Sequence, residues 1–160
     1  MMLKRLLTTV IFLCFGLNTY ASSITIKIYG TDDEHQAKGT ISFEDSPGGL
    51  LIKPHLHDLP PGPHGFHIHQ NPSCRNKGMA AGGHFDPKQT NTHLGPYENG
   101  HQGDLPVMYV NADNESSSSL IAPHLSIEHI RGHSIIIHAG GDNYTNAPPM
   151  GGGGPRIACG

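Results

Sequence analysis

The chain has 160 residues, a formal charge of −3 at pH 7 and no tryptophan; 36% of its residues are hydrophobic and 14% are charged. That length suits one domain with a real core, and the absence of any basic run or basic-aromatic interleaving argues against a nucleic-acid partner. The anomaly is histidine, with 13 residues that are dispersed along the chain and not gathered in a terminal tract of the metal-storage kind.

The first segment, MMLKRLLTTVIFLCFGLNTYA (1–21), reads as a secretory signal peptide. Lys4 and Arg5 form the positive region, Leu6 to Leu17 the apolar region, and Ala21 a small residue suited to cleavage. The apolar run is too short to span a bilayer, which needs roughly 20 residues. Cys14 lacks the small residues expected before a lipidated cysteine. Removal of this segment leaves residues 22–160 as a single domain and shifts the formal charge from −3 to −5, since Lys4 and Arg5 are lost. Of the three cysteines, Cys74 and Cys159 remain. An even pair in an exported chain suggests one disulfide, the alternative being two free thiols.

Short alternating or β-branched runs follow, separated by Gly, Pro, Asn and Asp: SITIKIYG (23–30), KGTISFED (38–45), GGLLIKPHL (48–56), GFHIHQ (65–70), LPVMYVNAD (105–113), SLIAPHL (119–125), HSIIIHAGG (133–141) and PRIACG (155–160). Eight such runs predict an all-β sandwich or barrel. SIEHIRG (126–132) reads as a helical turn. Residues 71–104 and 139–154 read as long loops, and their content of His, Asp and Gly points to function. The sequence has no internal repeat and no domain boundary.

Side chains at i and i+2 of a strand share a face. His67 and His69 therefore point together to one side of their strand, while Phe66 and Ile68 point to the other. His138 ends the run SIIIH with the same alternation. In the loop, His84, His93, His101 and Asp104 supply three imidazoles and a carboxylate, a tetrahedral set suited to structural zinc.

The motifs GFHIH, GGHFDP, HLGP, GHQGDLP, HAGGD and GGGGPRIACG, in that order over residues 23–160, resemble the copper/zinc superoxide dismutases, in particular their bacterial exported branch. The resemblance implies a flattened eight-stranded Greek-key β-barrel with two long functional loops, a periplasmic location, and one copper and one zinc per chain. It implies copper on His67, His69, His84 and His138, and zinc on His84, His93, His101 and Asp104, with His84 shared. It also implies that Asp142 ties a copper ligand to a zinc ligand. Arg156 would receive the superoxide anion, Cys74 and Cys159 would pair, and His64 would be structural. Relatives of this kind are homodimers or monomers. The alternative function is a noncatalytic metal-binding or copper-delivery domain on the same fold. An electron-transfer cupredoxin would require a Cys-His-His-Met copper site, and both cysteines are better used elsewhere.

Three features depart from the family pattern or stand outside it. The chain ends directly after Cys159 at Gly160, where relatives run on. Thr92 stands before His93 where relatives often carry Lys, for which Lys88 is a candidate substitute. His35, His55, His57, His124, His129 and His133 have no implied role and read as ordinary surface or strand residues; of these, the His55-x-His57 pair is the best candidate for an accessory metal contact.

Overall fold

A computed structural model describes residues 23–160; the signal-peptide segment lies outside them. The elements are β1 (Ser23–Gly30), β2 (Ala37–Ser46), β3 (Gly49–Leu56), β4 (Gly62–His64), β5 (Phe66–His69), β6 (Met108–Val110), β7 (Leu120–Ala122), α1 (Ile127–Ile130), β8 (Ser134–His138) and β9 (Arg156–Cys159). Seven strands form one sheet in the order β5-β8-β9-β1-β2-β3-β7, and β4 pairs with β6. All pairings are antiparallel. The sheet curls into the Greek-key barrel that the motifs implied. All eight expected runs contain a strand, and SIEHIRG contains α1. The extra strand is β4, in the proline-rich stretch before β5, where missing amide donors hide strand character from sequence.

Alternation builds the core. Ile41, Phe43, Leu50, Ile52, Phe66, Ile68, Ile135 and Ile137 point inward and are at most 4% exposed. Burying each large apolar side chain stabilises the fold by roughly 1.5–3 kcal/mol. On β5 and β8 the outward residues are buried as well, because the two long loops lie across that face.

Those loops are fixed to the strands at several points. Ile68 N donates to Gly103 O (2.9 Å) and Phe85 N donates to Ile68 O (2.9 Å). The approach at Gly103 is so close that a Cβ there would sit 2.3 Å from Ile68 O, so only glycine fits. Cys74 and Cys159 form the disulfide, with Cα atoms 5.7 Å apart and 85 residues of separation. Ile136, Ala81 and the disulfide pack together as a small cluster beside the main core.

Candidate metal centre

Three neighbouring strands carry the chemistry. On β5, His67 and His69 lie opposite Ile136 and Ser134 of β8. At the end of β8, His138 lies directly opposite Arg156 of β9. His84 bridges to His69 and Asp104 to His67 as the first long loop passes over the face. Strand register thus places residues 67, 69, 84, 104, 138 and 156 on one patch.

His67, His69, His84 and His138 each bring a donor atom within 4.8 Å of all the others, as do His67, His84, His93 and Asp104. In the second group His67 stands where the sequence placed His101; its Nε2 lies 2.6 Å from Asp142 Oδ2. His101 lies outside that group. Its Nδ1 is buried without a hydrogen-bond partner and lies 3.4 Å from Asp104 Oδ1.

One nitrogen of most rings is occupied and the other is not. His69 Nδ1 donates to Gly82 O (2.9 Å), and His138 Nδ1 to Gly154 O (3.0 Å). His93 Nε2 lies 2.7 Å from Asp142 Oδ1, so Asp142 joins His93 to His67. His84 Nδ1 lies 2.9 Å from Asp104 Oδ1, leaving Nε2 for the first group. Nδ1 of His67 and Nε2 of His69 and His138 are buried without a hydrogen-bond partner, while Nδ1 of His93 and of His101 lie beside Asp104, at 2.9 and 3.4 Å. Orphaned buried imidazole nitrogens are costly, and metal ligands resolve that cost. The donor set fits: four imidazoles suit copper, and three imidazoles with a carboxylate suit zinc.

Burial keeps the first group neutral. Loss of water pushes His67 down to about 3, against the hydrogen bond to Asp142. It pushes His69 to about 2 and His138 to about 4, and lowers His84 as well. His93 differs. Burial opposes its charge, but hydrogen bonds and proximity to Asp104 and Asp142 prevail and raise it to about 9. Burial likewise opposes ionisation of Asp104 and Asp142, yet their histidine partners hold both well below the usual carboxylate range.

The Arg156 guanidinium donates from Nη1 to Gly78 O and from Nη2 to Gly82 O (2.7 Å). Gly82 O therefore accepts from both His69 and Arg156. Burial lowers the guanidinium pKa, from a level that leaves it charged at any physiological pH. Arg156 and His138 line an open cavity with Met79, Pro149 and Gly153. Lys88 does not share it; it lines a different cavity beside His101.

His64 bonds through both ring nitrogens to Pro60 O and His138 O, each at 2.7 Å, so it has none left for a metal. His129 caps α1 with Ser126, His133 donates to Gln70 O (2.9 Å), and His57 pairs with Asp58 (2.9 Å). Neither His55 nor His57 enters a group of three or more donors among the described residues.

Sequence reading missed Tyr144 and Gly151. Tyr144 N donates to Asp142 Oδ1 (2.8 Å), and its hydroxyl accepts from Val107 N (2.8 Å). At Gly151 (φ 75°) a Cβ would meet Asp142 Oδ1 at 2.0 Å. The signal available was their place in the loop that carries Asp142.

Residues 37–160 match the family model described as copper/zinc superoxide dismutase. A superoxide dismutase [Cu-Zn] from Legionella pneumophila is 47% identical over 146 residues, covering 91% of this chain and 90% of that protein. The solved Cu/Zn superoxide dismutase from Brucella abortus superposes with a TM-score of 0.82 at 44% identity, covering 87% of this chain and 98% of that one. The solution structure of the monomeric copper, zinc superoxide dismutase from Salmonella enterica gives 0.75 at 43% identity, with the same coverage. Fold, donor geometry and these similarities lead to one conclusion: the chain belongs to the copper/zinc superoxide dismutase family.

Proposed function

We propose that this chain converts two superoxide anions and two protons to oxygen and hydrogen peroxide on the patch described above. His67 Nδ1 with His69, His84 and His138 Nε2 would hold copper. His84, His93 and His101 Nδ1 with Asp104 Oδ1 would hold zinc. Bound copper supplies one-electron cycling, which zinc cannot.

The protein's own residues do the rest. Arg156 draws the anion into its cavity and docks it through guanidinium hydrogen bonds, raising the capture rate. The Gly78 and Gly82 carbonyls hold that guanidinium in register with His138. Asp142 fixes the His67 and His93 rings, so both Nδ1 atoms face their sites. His84 Nε2, held by Asp104 at the far side of its ring, is the atom placed to take up and return a proton. The disulfide keeps the loop that carries Gly78 and Gly82 against β9.

The observation that carries this reading is the convergence of His67, His69, His84 and His138, with Nδ1 of His67 and Nε2 of His69 and His138 buried and without a hydrogen-bond partner. The noncatalytic alternative would need a missing copper ligand or a missing arginine, and this chain has all of them. Residues 1–21 would direct export to the periplasm and be removed, leaving 22–160 as the working domain. No helix of the described residues is long and apolar enough to cross a membrane. The test is superoxide decay by the mature protein, with and without copper, alongside a metal count. Copper-dependent decay with one copper and one zinc per chain is expected; full loading without copper-dependent decay overturns the reading.

A further inference from the structure

The two predicted donor groups border different cavities. Among their members the most exposed are His101 at 8% and His138 at 6%, one from each group, while His67, His69 and His93 are at 0%. His138 lines the cavity that holds Arg156. His101 and Asp104 line a separate cavity of about 470 Å³, and the two cavities share no residue.

The His101 cavity has the character of a cation path. Asp86, Glu98 and His124 line it, against the single ammonium of Lys88. Glu98 and His124 are exposed, and Asp86 lies between them and the interior in accessibility. Carboxylates and imidazole suit a borderline cation such as zinc. At the inner end stands His101, nine-tenths buried, with a Nδ1 that has no hydrogen-bond partner.

We propose that zinc is loaded and released through the His101 cavity, by way of Glu98, Asp86 and His124, independently of the cavity that serves copper and superoxide. The inference rests on His84, His93, His101 and Asp104 being the zinc ligands. A divalent cation meets the outer carboxylates and His124 first. It then passes to His101 and Asp104, with the His101 ring as the movable member because it is the least enclosed.

The test uses the protein carrying both metals. Zinc release to a chromogenic chelator, and reuptake of free zinc ion, are timed in wild type, in a Glu98→Gln, His124→Ala double variant, and in an Asn99→Trp variant that narrows the same cavity. One zinc per chain in wild type checks the ligand assignment separately from the rates. The proposal expects zinc exchange to slow by roughly tenfold in both variants, with final zinc content and the copper extraction rate unchanged. Unchanged zinc rates in either variant, or copper and zinc slowing together, would overturn it.

Discussion

The chain contains two His-x-His stretches near strand ends, and only one sits in the metal centre. His55 lies on β3 and His57 directly after it, both exposed, with His57 paired to Asp58 at 2.9 Å. His67 and His69 lie on β5 and are completely buried. Local pattern is the same: period-2 geometry puts both members of each pair on one side. The difference is what covers them. Over β5 the two loops bring His84, Asp104 and Asp142 to the same face, and β8 adds His138 alongside. Over β3 no such cover exists, so those imidazoles remain in water. A strand pair supplies direction; the loops and neighbouring strand supply the remaining donors and remove the water.

The largest effect should come from breaking the covered pair. His69→Ala should reduce copper-dependent superoxide decay to background and remove copper from the metal count, while zinc remains; retention of copper in that variant would contradict the assignment. Next is the carboxylate that serves both groups. Asp142→Asn keeps shape but loses an acceptor, and should weaken metal affinity by roughly 10–100-fold, read by competition with a chelator. Removing the tie under the cover is third. Cys74→Ser should cost about 2–5 kcal/mol of stability in chemical denaturation and loosen Arg156, whose carbonyl partners sit in the freed loop.

Acidity sharpens the contrast further. Buried His67, His69 and His138 titrate at about 3, 2 and 4 in the folded chain, against about 6.5 when unfolded. The unfolded state therefore binds more protons in between, so their contribution is complete above that unfolded value and is lost progressively as pH falls from there through the folded values. His93, raised to about 9, acts in the opposite sense: its contribution is complete below the unfolded value and is lost as pH rises through 9. Metal-free protein should be most stable near neutrality, and denaturation midpoints measured across pH should fall on both sides. A flat profile would show that these groups are not buried as described. The smallest effect belongs to the exposed pair: a His55→Ala, His57→Ala double variant should bind the same copper and zinc and lose less than about 1 kcal/mol.

Much of this was legible in the sequence because it depends on side-chain type and period. Alternation in Phe66-His67-Ile68-His69 and Ile135-Ile136-Ile137-His138 gave both the core and the outward ligands. The motif resemblance supplied the loop ligands, Asp142, Arg156 and the disulfide. What escaped depends on backbone. The Gly82 carbonyl, which accepts from both His69 and Arg156, has no side chain to read. Tyr144 acts through its own amide and hydroxyl on residues distant in sequence. Lys88 was a candidate for the anion's side, and only the path of the loop places it beside His101 instead. The similarity of the two His-x-His pairs shows the same limit, since burial comes from segments far along the chain.

Element-resolved anomalous diffraction from crystals loaded with copper and zinc would locate both ions. Two ions sharing His84 are expected, copper on its Nε2 side with His67, His69 and His138, and zinc on its Nδ1 side with His93, His101 and Asp104. A single ion, a pair not bridged by His84, or a metal held by His55 and His57 would contradict that assignment.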